Sequence, residues 1–129
     1  VTTQVLVVED NEEMLQLLSL QLQFFGYQVM AAKNGLEAVT IAVSRLPNLI
    51  VMDVSMPKMN GTEAVAQLRS NPKTREIPIL AATGWAFPNN KQRYLASGFD
   101  DYLVTPFTHT DLHNAIGKLL GNAGKASDT

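Results

Sequence analysis

The sequence predicts an α/β domain: an open, doubly wound, five-stranded parallel sheet in the order 2-1-3-4-5, with five helices. Three observations predict it. Short apolar runs alternate with stretches of helical spacing along the whole chain. The runs Val5–Val8, Leu49–Met52 and Ile77–Ala82 are continuous, as strands covered on both faces are. Each connection is short, and a repeated βα unit closes into parallel neighbours through right-handed crossovers.

Taken in order, Val5–Val8 is the first strand. The first helix carries Leu15, Leu18, Leu22 and Phe25 on one stripe, with Glu12 and Glu13 at its N-terminus, where the macrodipole favours anions. Tyr27–Ala32 is the second strand, and Leu36, Val39, Val43 and Leu46 mark a second helix that Pro47 closes. Leu49–Met52 leads to a third helix with Ala64, Val65 and Leu68, ended before Pro72. After the fourth strand, Ile77–Ala82, Pro88 suits a helix start and Gly98 a helix end. The residues between, Asn89 to Arg93, offer little apolar face, so this helix is expected to be the least firmly docked. Tyr102–Val104 is the fifth strand, and Leu112, Ile116 and Leu119 mark the last helix, opened by Thr108 with Asp111 three residues on. Residues 1–120 form one domain, and 121–129, rich in Gly, Ser and Ala, read as a flexible tail or linker stub.

Composition narrows the function. A chain of 129 residues, 46% hydrophobic and 17% charged, can bury one real core. With no cysteine there is no disulfide scaffold, thiolate nucleophile or Cys-ligated metal. A net charge of −2 argues against direct nucleic-acid binding. No apolar run approaches the ~20 residues of a membrane span, and no basic segment leads an apolar one, so a cytoplasmic domain is expected.

Open α/β sheets bind ligands beyond the carboxyl ends of their strands, at the point where strand order reverses. Here that point lies between strands one and three. Strand one ends in Glu9-Asp10, strand three in Asp53, strand four in Thr83-Gly84 and strand five in Thr105-Pro106. Three carboxylates held together repel unless a cation sits among them, and oxygen donors select Mg²⁺ or Mn²⁺. An acid pair after a strand is commonly a helix cap, and Glu9, Asp10 and Asn11 could be no more than that. Capping does not account for Asp53 at the end of the other flanking strand.

The segments Val7-Val8-Glu9-Asp10-Asn11, Met52-Asp53-Val54-Ser55-Met56-Pro57-Lys58-Met59-Asn60-Gly61, Thr83-Gly84 and Asp101-Tyr102-Leu103-Val104-Thr105-Pro106-Phe107 closely resemble the receiver domain of two-component response regulators. The likeness runs from about Gln4 to Leu120. It implies a flavodoxin-like fold and a signalling module, not an enzyme with a separate substrate, that assists its own phosphotransfer and dephosphorylation. Asp53 would be the phosphoacceptor. Glu9, Asp10, Asp53 and the Ser55 carbonyl would hold Mg²⁺ or Mn²⁺. Thr83 would bind a phosphoryl oxygen, and Tyr102 would be the aromatic switch, although a half-buried strand tyrosine is an equally good description of it. The implied partners are a histidine kinase or phosphotransfer protein and a downstream output domain or protein, reached through the face formed by strand five and the last two helices.

The chain departs from the family at Thr105, where the family carries lysine. A neutral hydroxyl cannot supply that charge, and a charge-assisted hydrogen bond is worth ~1.5–3 kcal/mol. Weakened transduction is therefore expected, and the competing function is a phosphorylation-independent interaction domain. Phe99 replaces a usual alanine, and Trp85 and Phe87 make the loop after strand four aromatic, which fits a local packing cluster. His109 and His113 have metal-ligand spacing but no third ligand, so a solvated helix face is expected there. A flavin-binding domain would need a phosphate cradle after strand one, where this chain has acids.

Overall fold

The computed structural model describes residues 3–53, 61–83, 95–104 and 107–128, with the backbone alone for Gly61, Thr83 and residues 122–128. Five strands, β1 (Gln4–Val8), β2 (Gln28–Ala32), β3 (Leu49–Asp53), β4 (Ile79–Thr83) and β5 (Asp101–Val104), form one parallel sheet in the order β2-β1-β3-β4-β5. The predicted topology is present. Helices α1 (Glu12–Phe24), α2 (Gly35–Arg45), α3 (Gly61–Ser70) and α4 (His109–Asp128) connect and cover it, and residues 95–97 are also helical.

Strand periodicity divides the core. Leu6, Val8, Ile50, Met52, Ile79 and Ala81 point to the face covered by α2 and α3. Val5, Val7, Leu49, Val51, Leu80 and Ala82 point to the face covered by α1 and α4. The central strands are buried on both faces, which is why their sequences run apolar without alternation. Phe99 is 2% exposed and packs in the first cluster, as a packing residue should. Trp85 and Phe87 lie outside the described residues.

The stripes predicted for α1, α3 and α4 are buried at Leu15, Leu18 and Leu22; Ala64, Val65 and Leu68; Leu112, Ile116 and Leu119, while Phe25, also expected on the α1 stripe, is its half-buried C-cap. Helix α2 differs. It buries Gly35, Ala38 and Ala42, while Leu36 and Leu46 are exposed. Small residues let α2 sit close to the sheet and to α3, with Val39 and Ile41 half-buried at the margin of the core. Leu46 is the C-cap, at φ 49°, a left-handed conformation forced where Pro47 forbids further helix.

Helix α4 runs to Asp128, through residues expected to be a flexible tail. Gly121, Asn122 and Gly124 weaken a helix there, but no proline forbids one, and Ala123, Lys125 and Ala126 are good helix formers. The predicted cap at its start is reciprocal. Asp111 N–H donates to Thr108 Oγ1 at 3.0 Å, and Thr108 N–H donates to Asp111 Oδ2 at 3.1 Å. The helix expected between Pro88 and Gly98 falls within the description only at its end, where Gly98 has the φ of +111° that a glycine C-cap supplies.

Candidate functional site

The site follows from register. Val8 pairs with Met52 across β1 and β3, so the next residues, Glu9 and Asp53, leave the sheet side by side. Asp53 pairs in turn with Ala82 on β4, and Thr83 with Val104 on β5. The ends of β1 and β3, two of the four predicted to converge, therefore meet at one edge. Glu9, Asp10 and Asp53 each place a carboxylate oxygen within 4.8 Å of the others. Glu9 and Asp53 are partly buried and Asp10 is exposed.

Capping is a separate matter. The N-cap of α1 is Asn11, whose side chain accepts the Met14 N–H at 2.9 Å. Glu9 accepts the Asn11 N–H at 3.1 Å, and its own N–H donates to the Ala32 carbonyl at 3.0 Å. These bonds fix the turn that brings Glu9 and Asp10 over the end of β3. They leave the convergence on Asp53 unexplained by capping.

Burial, together with the neighbouring Asp10 and Asp53, pushes the Glu9 carboxyl up to about 7, against the lowering effect of the Asn11 N–H. Three acids crowded at a strand edge in this way are a donor set for a cation. All the donors are oxygen, which suits a hard divalent cation such as Mg²⁺ and excludes a soft one. The residues present fit the metal the sequence implied.

An open cleft of about 640 Å³ surrounds the acids, and Met14, Leu17 and Phe107 also line it. The sequence placed Met14 and Leu17 in no role, because neither falls on the buried stripe of α1. Tyr102 pairs with Ala81, two residues before the end of β5, and packs half-buried against the first core cluster. Thr83 closes β4 by its backbone, and its side chain lies outside the described structure. Ser55 and Thr105 also lie outside the described residues. His109 and His113 are both exposed, as expected of a solvated helix face, and their rings lie 6.2 and 4.3 Å from that of Phe25.

A family model for the response regulator receiver domain matches residues 5–117. The chain is a response regulator receiver domain. The polar-differentiation response regulator DivK of Brucella anthropi is 32% identical to it over 119 residues, 92% of this chain and 97% of DivK. The chemotaxis protein CheY4 of Vibrio cholerae is 34% identical and superposes with a TM-score of 0.87, covering 92% of this chain and 99% of CheY4. The receiver domain of the sensor histidine kinase PA1611 of Pseudomonas aeruginosa, solved with a magnesium ion coordinated in its active-site cleft, is 29% identical with a TM-score of 0.87. That match covers 94% of this receiver domain and 99% of the Pseudomonas one. Membership places this receiver domain in two-component signalling, where such domains take phosphoryl groups on an acidic cleft and are not enzymes in the ordinary sense.

Proposed function

We propose that this receiver domain accepts a phosphoryl group on Asp53 from a phosphohistidine of a histidine kinase or phosphotransfer protein, in the cytoplasm. The observation that carries this reading is the convergence of Glu9, Asp10 and Asp53 within 4.8 Å at the edge where strand order reverses. Asp53 ends β3 with its carboxylate at the cleft, as a nucleophile must. An Asp53 oxygen attacks phosphorus, the new P–O bond replaces the P–N bond, and the departing imidazole nitrogen takes up a proton. The product is an aspartyl phosphate.

Glu9, Asp10 and Asp53, with the Ser55 carbonyl, would hold Mg²⁺ or Mn²⁺. When bound, the ion offsets charge on the transferring oxygens, which is most of what phosphoryl transfer asks of a protein. Glu9 and Asp10 serve to orient that charge beside Asp53. The Thr83 hydroxyl would hold a phosphoryl oxygen, and Tyr102 would report the change along β5 to an output partner. Thr105, in place of lysine, leaves the phosphoryl group with one fewer partner, so phosphorylation persists while coupling to Tyr102 weakens.

The test is transfer of labelled phosphate from an autophosphorylated histidine kinase to the chain. Acid-stable, hydroxylamine-sensitive label on the protein, absent in Asp53→Asn, supports the reading. Label that survives Asp53→Asn contradicts it. The second reading, a phosphorylation-independent interaction domain, rests on Thr105 alone and is favoured by a partner that binds Asp53→Asn as tightly as the parent.

A further inference from the structure

A fourth carboxylate lines the cleft. Glu13 stands at its wall with Glu9, Asp10 and Asp53, and among the described residues no lysine, arginine or histidine lines it. Glu13 lies outside the set whose oxygens approach within 4.8 Å of one another, so it is not a ligand for an ion held by the other three. Its neighbour Glu12 makes the contrast. Successive helical residues point ~100° apart, and Glu12 meets Lys33 Nζ at 3.7 Å without lining the cleft. Glu13 has no ion pair among the described residues, and Leu17, one turn further on, lines the same cleft. From Met14 to Phe24 the helix carries no charged residue, so nothing along it offsets Glu13.

We infer, resting on the phosphoacceptor reading of this cleft, that Glu13 selects by charge what enters it. It strengthens binding of a divalent cation and slows phosphoryl uptake from small, free, dianionic donors. Glu13 touches neither and acts through its field. Apolar walls of low dielectric focus such a field, and Met14, Leu17 and Phe107 supply them. A unit charge ~10 Å from a doubly charged ion in water changes its binding about fourfold at low salt. The effect fades once the screening length falls below ~8 Å, above physiological ionic strength. The plain alternative is that Glu13 serves only the dipole of α1, as acids in a first turn do. Loss of that role would lower stability slightly and would not move cation and anion in opposite directions. Loss of a field does.

Two measurements test this, each at ~10 mM and ~0.5 M ionic strength. Titration calorimetry reads the Mg²⁺ affinity, and intact-mass spectrometry at saturating Mg²⁺ reads the rate of adduct formation. At low salt, Glu13→Gln should raise the Kd for Mg²⁺ about fourfold and quicken uptake from acetyl phosphate, a dianion, by about the same factor. Uptake from phosphoramidate, a monoanion at neutral pH, should quicken only about twofold. All three differences should vanish at high salt. Glu12→Gln, with the same net charge and in the same helical turn, should match the parent in both measurements. An unchanged Mg²⁺ affinity in Glu13→Gln at low salt overturns the inference. So does an acetyl phosphate rate that stays level or falls, or the same changes in Glu12→Gln. If no donor leaves an adduct on the parent, the phosphoacceptor reading fails, and the calorimetry alone decides whether Glu13 acts on the cation.

Discussion

Arg69 Nη2 lies 2.7 Å from Asp100 Oδ2, and the same oxygen accepts the Ile79 N–H at 2.7 Å. The guanidinium spends its other donors on the carbonyls of Gly98, Arg75 and Ile77, at 2.9, 2.6 and 2.8 Å. One side chain at the end of α3 therefore ties down the start of β4 and the segment entering β5. Those strands end in Thr83 and Val104, at the opposite edge of the sheet from this clamp.

Arg69→Ala removes the four guanidinium bonds, leaving the Asp100 carboxylate with the Ile79 N–H but no counter-charge and taking a donor from each of three carbonyls. Half-buried, charge-assisted bonds of this kind put the loss at about 2 kcal/mol. Urea unfolding should show the midpoint lowered with the slope unchanged. Because Asp100→Asn touches the same oxygen, the double variant should lose clearly less than the two singles added together.

Two backbone positions have opposite outcomes. A Cβ on Gly98 would lie 2.7 Å from Val65 Cγ1, at a φ of +111° that side chains rarely adopt, so Gly98→Ala should cost about 2 kcal/mol. Leu46 already sits at φ 49° with half its surface exposed. Leu46→Gly relieves the left-handed strain of ~1–2 kcal/mol, part of which the greater freedom of unfolded glycine offsets. A melting temperature raised for Leu46→Gly and lowered for Gly98→Ala is the expected pair of results.

Metal-free protein should be less stable at pH 8 than at pH 5 as far as Glu9 is concerned. Its carboxyl is raised from 4.5 to about 7 on folding, so the folded state keeps a proton the unfolded chain has released. That contribution is fully present below about pH 4.5 and is lost as pH rises through about 7. Mg²⁺ at millimolar concentration should raise the melting temperature most at the alkaline end and flatten the dependence. In Asp10→Ala the Mg²⁺-dependent rise should shrink. Thermal melts in chelator and in Mg²⁺, from pH 4.5 to 8, check both statements.

Thr105→Lys should enlarge the response without being needed for it. A bound group shifts a two-state equilibrium only by its differential affinity for the two states, and the lysine adds one such contact. With both proteins loaded to the same extent with a beryllofluoride mimic, amide shifts on β5 and α4 should be larger in Thr105→Lys. Equal shifts in the two proteins refute weakened coupling.

The central strands were legible because burial on both faces writes itself as continuous apolar runs, and the acids because they stand where those runs stop. Helix α2 was read in part: Val39 and Val43 are half-buried, with Val39 on the core, but the exposed Leu36 and Leu46 look like core by size, and the fully buried positions facing the sheet and α3 are Ala38 and Ala42. The partnership of Arg69 with Asp100 spans 31 residues, and no local pattern announces it. Met14 and Leu17 line the cleft only because Asn11 turns α1 beside β3, a geometry that periodicity alone does not carry.

The central claim is that Asp53 is the phosphoacceptor. Intact-mass and peptide spectrometry after incubation with acetyl phosphate and Mg²⁺ tests it without any partner protein. The account predicts the mass gain of one phosphoryl group, mapped to Asp53, dependent on Mg²⁺, reversed by hydroxylamine and absent in Asp53→Asn. No adduct under these conditions, or the same adduct in Asp53→Asn, would contradict it.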